Sequence, residues 1–303
     1  MHHFCTITTA DHMFKTLSLY DSLRSSGGDI CLHVLCIDKL PDLTTDLQQL
    51  YFYTTGDLTQ ITSAADICSK YAGSADKLRW SLKPVFLNYL LQTKAEKVIY
   101  IDNDIFFYKD CTFLFDMLDE YDFLLTPHYY PHDPKQNQNW LEANFKVGLY
   151  NAGFVAVSKA AGESLDWWAK CCAYRCEKNM LRGTFDDQKY LDLIPVINEK
   201  AQIIRHKGCN VAEWNRSVIT RTESENEVLL DGIYPLIFIH FNNTTIRAII
   251  ENNEPVLKKS FDIYFEALKK HKPELKVTQL YGQDSWLSKL KYLIWKTATS
   301  YGL

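Results

Sequence analysis

The stretch Glu96–Asp110, EKVIYIDNDIFFYKD, runs through Val98, Ile99, Tyr100 and Ile101, meets Asp102 and Asp104, and turns apolar again at Ile105, Phe106 and Phe107. The first run has the length and the β-branched, aromatic content of a strand inside a sheet. An ionised carboxylate taken out of water without a partner costs several kcal/mol, so two of them at a buried strand's end need compensation. Residues two apart on a strand face the same side, so the pair is expected to converge while Asn103 points away. Hard divalent cations such as Mg²⁺ or Mn²⁺ take oxygen ligands of this kind and complete their shell with water and phosphate. Such an ion could hold a diphosphate and neutralise the charge that develops as it leaves. The competing reading is two solvated aspartates capping a turn.

Around this stretch, strand and helix signals alternate. FCTITT reads as a first strand, and Met13, Phe14, Leu17, Tyr20 and Leu23 share one helical face that Gly27 and Gly28 terminate. DICLHVLCID is a second strand, followed by an expected helix over Thr44–Tyr53, a short strand LTQITS, and one helix through RWSLKPVFLNYLLQ. Strands alternating with helices imply an α/β fold, a mainly parallel sheet flanked by helices, with ligands at the carboxyl ends of its strands. TPHYYPHDPKQNQNWLEANFKVGLY, residues 126–150, breaks the alternation with Pro127, Pro131 and Pro134 and reads as a long loop or lid. Order resumes with the strand NAGFVAVS, a helix through LDWWAKCCAYRCEKNML, and a strand over PLIFIHF.

The chain has 303 residues, 47% of them hydrophobic, which suits one large domain with appendages or at most two domains. Its net charge of −4 hides an asymmetry. Residues 256–303 hold nine lysines, no arginine and four acids, net +5, which leaves 24 basic against 33 acidic residues, net −9, in the rest. An acidic body argues against nucleic acid as a partner. No long apolar run and no basic-then-apolar leader is present, and the nine cysteines show no paired CxxC spacing, so buried free thiols in the cytoplasm are expected.

Two further residues bear on the carboxylate pair. His240 closes the apolar strand FIHF and, brought near Asp102, would add a nitrogen ligand that favours Mn²⁺ over Mg²⁺; the alternative is a hydrogen-bonded core histidine. Lys83 precedes Pro84 at a helix start, where its ammonium could meet an anionic group; the alternative is a solvated lysine. Trp214, in NVAEWNR, and His128, Tyr129, Tyr130 and His132 of the proposed lid are candidates for acceptor contact, whereas Trp167 and Trp168 suit a core.

The ordered set TITTADHMF, WSLKPVFLNYLL, KVIYIDNDIFF, LYNAGFVAVS, FDDQKYLDLIP, GCNVAEWNR and FIHF resembles the GT-A fold nucleotide-diphospho-sugar glycosyltransferases, closest in pattern to glycosyltransferase family 8. The resemblance runs from about Phe4 to Phe241. It implies a GT-A core over 1–255 and a basic C-terminal helical extension over 256–303. The core would divide into a nucleotide-binding half (1–126), a lid or acceptor loop (127–150) and a donor-sugar half (151–255). It implies a base and ribose site at Thr8, Thr9, Ala10 and Asp11. A metal would lie on Asp102, Asp104 and His240, with Asn103 between the two aspartates. Lys83 would stand at the diphosphate, and Asn151, Asp187 and Gln188 would line the donor sugar, the last two and Lys83 being the catalytic candidates. In the family a Gly-containing loop with a lysine follows the histidine. Here HFNNTTIRAI has no glycine, and Arg247 stands as the candidate replacement.

The implied activity is metal-dependent transfer of a hexose from a nucleotide sugar, UDP-linked, to a hydroxyl of a cell-surface glycan such as lipopolysaccharide, O-antigen or capsule, with retention. The tail DSWLSKLKYLIWKTATSYGL places Trp286, Leu287, Leu290, Leu293 and Ile294 on one helical face with Lys289, Lys291 and Lys296 around it. That suits either a helix docked on the body or peripheral contact with the inner face of the plasma membrane, and the lipid-linked acceptors that the resemblance implies favour the membrane. Two alternatives are a nucleotide-sugar or glycan-binding protein without catalysis, and a haloacid-dehalogenase-type phosphohydrolase, which also carries D-x-D after a strand.

Overall fold

The computed structural model describes residues 1–42, 47–224 and 227–281. In chain order the elements are β1 (His2–Thr8), α1 (Met13–Ser26), β2 (Ile30–Cys36), β3 (Leu50–Thr54), α2 (Ala64–Tyr71), α3 (Ala75–Ser81), α4 (Lys83–Thr93), β4 (Lys97–Ile101), β5 (Ile105–Phe107), α5 (Phe113–Met117), β6 (Phe123–Pro127), α6 (Gln138–Lys146) and β7 (Tyr150–Ser158). They continue with α7 (Gly162–Tyr174), α8 (Ile194–Ile197), β8 (Ala201–Ile203), β9 (Arg221–Ser224), β10 (Glu227–Leu230), β11 (Tyr234–Pro235), β12 (Phe238–His240), α9 (Asn243–Ile250), α10 (Lys258–His271) and α11 (Thr278–Tyr281).

Seven strands form one sheet in the order β3-β2-β1-β4-β7-β6-β8. Only β7 runs against its neighbours, β4 and β6; the other pairings are parallel. The α/β architecture with a mainly parallel, helix-flanked sheet is therefore present. Strand order reverses between β1 and β4, and at such a switch point the chain diverges to both sides and leaves a crevice at the strands' carboxyl ends. Thr8 and Asp102 stand at that crevice.

Alternation along each strand feeds two cores. Cys5, Ile7, Val98 and Tyr100 pack on one face with Phe86, Leu90 and Trp168 of α4 and α7. Phe4, Ile99 and Ile101 pack on the other with Leu17, Tyr20 and Leu23 of α1. A third cluster joins Phe106, Ile239 and Phe241 to Phe261, Tyr264 and Leu268 of α10. At about 1.5–3 kcal/mol per large side chain, burial of this kind holds the strand ends where they are.

Several expected elements differ. The expected helix over Thr44–Tyr53 gives way from Leu50 onward to strand β3, whose aromatic run finds a parallel partner in β2. LTQITS is a turn: Leu58 and Ile61, three apart, are the buried residues, a helical spacing rather than a strand's. The single helix expected around Pro84 is two, α3 and α4, broken at Leu82, because Pro84 has no N–H to continue the ladder. The expected loop over 126–150 contains α6, capped by the Asn137 side chain on the Trp140 N–H (3.2 Å). The expected helix through Leu181 ends at Tyr174, since Arg175 is extended. All nine cysteines are free. Among the described residues no helix is long and apolar enough to cross a membrane. Trp286 to Lys296, the expected amphipathic helix, lie outside the described residues.

Candidate metal and donor site

Asp102 does not lie within β4. It follows the strand, and Asp102-Asn103-Asp104 form a turn closed by the Ile105 N–H on the Asp102 carbonyl (3.1 Å). The two carboxylates therefore converge through a turn and not through strand alternation. Asn103 does point away: its amide donates to Thr8 Oγ1 (3.1 Å) and Thr16 Oγ1 (3.5 Å), which pins the turn to β1 and α1.

Neighbouring strands bring the remaining groups. β12 pairs antiparallel with β5, matching His240 to Ile105, and the Phe241 N–H donates to the Asp104 carbonyl (2.8 Å), so His240 Nε2 comes to 3.1 Å from Asp104 Oδ1. β7 pairs antiparallel with β4, and the Asp102 N–H donates to the Gly153 carbonyl (2.7 Å). A Cβ on Gly153 would fall 2.5 Å from His240 Cε1, 2.7 Å from Asn151 Oδ1 and 2.9 Å from Asp102 Oδ2. The missing side chain is what keeps that space open.

Lys83 begins α4 and is only 2% exposed. Its Nζ lies 3.3 Å from Asp102 Oδ1 and 3.2 Å from Asp187 Oδ2, donates to the Ala152 carbonyl (3.0 Å), and sits 5.0 Å above the Tyr100 ring. The solvated alternative for this lysine is excluded. Tyr100 donates its hydroxyl to Asp102 Oδ1 at 2.7 Å. Asp187 is held from the backbone by Trp168, whose indole N–H donates to its carbonyl (2.9 Å). Gln188 accepts from the Ala152 N–H (3.3 Å) and from the Asn151 amide (3.4 Å).

The charges follow from this packing. Burial would lower the Lys83 pKa, but Asp102 and Asp187 outweigh it and hold the ammonium protonated. One ammonium serves two carboxylates, which leaves a negative charge in excess, and burial pushes the Asp187 carboxyl up to about 6 despite Lys83. Burial also opposes both charges of the His240–Asp104 pair, yet each holds the other ionised, His240 shifted up and Asp104 down.

Of the other candidate residues, Thr9 bonds His12 Nδ1 (3.1 Å), the Ala10 N–H donates to the exposed Asp38 carboxylate (3.0 Å), and Ala10 and Asp11 line a cleft of about 830 Å³ with Lys39 and His271. Thr8 is fully buried and engaged with Thr16 and Asn103. Arg247 lies in α9, whose first turn is capped by Asn242. Trp214 is buried, edge-on to His240 (5.3 Å) and to His128 (5.4 Å). His128 is also buried; it stacks on Tyr130 and bonds the Gly148 carbonyl (3.0 Å) and the Asn151 amide (3.3 Å). His132 is exposed.

Sequence reasoning overlooked Tyr100 and Gly153. Gly153 is two residues after Asn151 on β7, where a period of two would have found it; Tyr100 stands in β4 and Asp102 in the turn after it, so their contact leaves no strand period to read.

Asp102, Asp104 and His240 offer two carboxylates and an imidazole whose ligand atoms all lie within 4.8 Å of one another. With the space at Gly153, this donor set fits a divalent cation of the Mn²⁺ or Mg²⁺ class.

No family model matches the chain. It is similar to two proteins of Bacillus subtilis (strain 168): uncharacterized protein YfnF, 28% identical over 256 residues, covering 82% of this chain and 83% of that one, and uncharacterized protein YfnD, 27% identical over 250 residues, covering 80% and 78%. Among solved structures it is similar to glycosyltransferases. The galactosyltransferase LgtC, solved with donor and acceptor sugar analogs, is 12% identical with a TM-score of 0.49, over 78% of this chain and 86% of that one. Mouse xyloside xylosyltransferase 1 is 15% identical with a TM-score of 0.45, over 72% and 90%. At these values the geometry of the site itself has to carry the functional reading.

Proposed function

We propose that the chain is a metal-dependent glycosyltransferase that takes a nucleotide-diphospho-sugar, UDP-linked, and moves its hexose to a hydroxyl of a cell-surface glycan. The observation that carries this reading is the convergence of Asp102, Asp104 and His240, two of which, Asp102 and His240, border the space at Gly153, beside the buried Lys83–Asp187 pair.

Asp102, Asp104 and His240 would hold Mn²⁺ or Mg²⁺, which when bound supplies charge neutralisation to the departing diphosphate. Lys83 adds a fixed positive charge in a water-poor setting, where preorganised charge counts most. Thr9, Ala10 and Asp11 are assigned to the base and ribose, and Arg247 to the diphosphate. Asn151 and Gln188 present amides to sugar hydroxyls, and Asp187 stands by the reacting face, in keeping with a retaining transfer. The acceptor side is a glycan or lipid-linked glycan met at the inner face of the plasma membrane.

The test is a thermal-shift screen against UDP-, GDP-, CMP- and dTDP-sugars, each with Mn²⁺ and with EDTA, on the wild type and Asp104→Ala, followed by transfer and hydrolysis assays. Ligand bound only by the native state raises its melting temperature. A metal-dependent shift with one nucleotide class that Asp104→Ala abolishes is expected. The absence of any shift with every donor would overturn the reading.

A further inference from the structure

At the other end of the sheet, roughly 16 Å along β1 from Thr8, three side chains that the proposed reaction does not use meet on one face. The parallel register sets His3 beside Cys31, and His33 is two residues further along β2. His3 Nδ1 is 3.0 Å from His33 Nε2, and Cys31 Sγ is 3.3 Å from the same nitrogen. The ligand atoms of all three lie within 4.8 Å of one another. On its far side, His33 Nδ1 bonds the Tyr53 hydroxyl at 2.9 Å.

We propose that His3, Cys31 and His33 form a second metal site, separate from the aspartate site, that takes a borderline-soft divalent cation of the zinc class.

Three observations support it. A single ring nitrogen has one lone pair or one proton, yet His33 Nε2 faces two partners, and a cation among the three would satisfy all of them. Around tetrahedral zinc the nitrogen–nitrogen and nitrogen–sulfur separations are about 3.4 and 3.6 Å, so the two contacts to His33 Nε2 need to open by only a few tenths of an ångström. Tyr53, on the far nitrogen of His33, occupies the place of the partner that orients a metal-ligating histidine.

The imidazole is also in the right form. Burial, with His3 and Lys94 nearby, lowers the His33 pKa to about 3, so the ring is neutral at physiological pH. His3 is half-buried and lines a cleft of about 640 Å³ with Met1, Leu91 and Lys94, through which an ion could enter and a water could supply the fourth ligand. The His3 and His33 rings lie 12° from parallel with centroids at 5.3 Å, and His3 Nδ1 faces His33 Nε2. Each ligating ring nitrogen presents its lone pair to the ion, so each neutral ring carries its one proton on its other nitrogen. The Cys31 S–H bond breaks as the metal–sulfur bond forms, and that one proton goes to solvent.

The experiment is a Co²⁺ titration of the metal-free full chain carrying Asp104→Ala, which removes the other candidate site. A thiolate ligand gives a near-ultraviolet sulfur-to-cobalt charge-transfer band, which an oxygen and imidazole site cannot give. One equivalent of Co²⁺ should produce the band, Zn²⁺ should bleach it, and Cys31→Ser should abolish it while Cys171→Ser leaves it intact. His3→Gln, at a half-buried position where folding is spared, should weaken binding at least tenfold. Absence of the band in the parent chain, or its persistence at full affinity in both Cys31→Ser and His3→Gln, would overturn the proposal.

Discussion

Lys83 shows how much chemistry one buried charge can organise. Its ammonium donates to the Ala152 carbonyl at 3.0 Å and stands 3.3 Å from Asp102 and 3.2 Å from Asp187, so one charge ties three segments together. Removing one partner of a buried pair typically costs 3–5 kcal/mol, because the other charge is left uncompensated. Lys83→Met should therefore lower stability by about that amount and transfer at least 100-fold, read by denaturant unfolding and by initial rates. Lys83→Arg should rescue neither fully, since a planar fork does not match three acceptors around a point. Gly153 makes the opposite case, a function carried by an absent atom. Gly153→Ala puts a Cβ within 3.0 Å of His240, Asn151 and Asp102, so the metal-dependent thermal shift should vanish while the fold survives. A retained Mn²⁺ shift in that variant would show that the ion does not use this space.

Among the elements, the segment between β6 and β7 is the most informative. Its proline and amide content suggested a long loop, but α6 forms within it, His128 and Tyr130 are buried, and Tyr130 stacks on Trp140 of that helix. His128 is neutral because burial lowers its pKa to about 3 against hydrogen bonds from its neighbours. The unfolded chain binds that proton near pH 6.5 and the folded chain only near pH 3, so between those values the unfolded state holds more protons and stability falls as the pH falls. The slope from this group is at most about 1.4 kcal/mol per pH unit. His128→Asn, which keeps a donor for the Gly148 carbonyl, should flatten the stability profile between pH 6 and 4 by up to about that slope, measured by urea unfolding across the range. An unchanged slope would place the acid sensitivity elsewhere. β12 illustrates the same dependence on partners: three residues long, it is held by pairing with β5, and that pairing delivers His240 to Asp104.

For the molecule as a whole, α10 belongs to the core that supports the site. Phe261, Tyr264 and Leu268 are fully buried with Phe241, the residue next to His240. Loss of each large buried side chain costs about 2–5 kcal/mol, and a domain's total stability is about 5–15 kcal/mol. A chain ending at residue 255 should therefore fail to fold, seen as loss of a cooperative melt; a cooperative melt near that of the full chain would show 1–255 to be autonomous. The amino-acid sequence alone determined the buried strands, the α/β order and the residue types at the carboxyl end of β4, because hydrophobic alternation and a pair of aspartates after an apolar run are local signals. It misjudged β3, whose aromatic run becomes a strand only beside β2, and it placed the aspartates on a strand when a turn tied to Thr8 and Thr16 brings them together. The tertiary structure alone decided that Lys83 is buried between two carboxylates and that His3, Cys31 and His33 meet. Both depend on contacts between segments distant along the chain, and such contacts leave no periodicity in the sequence to read.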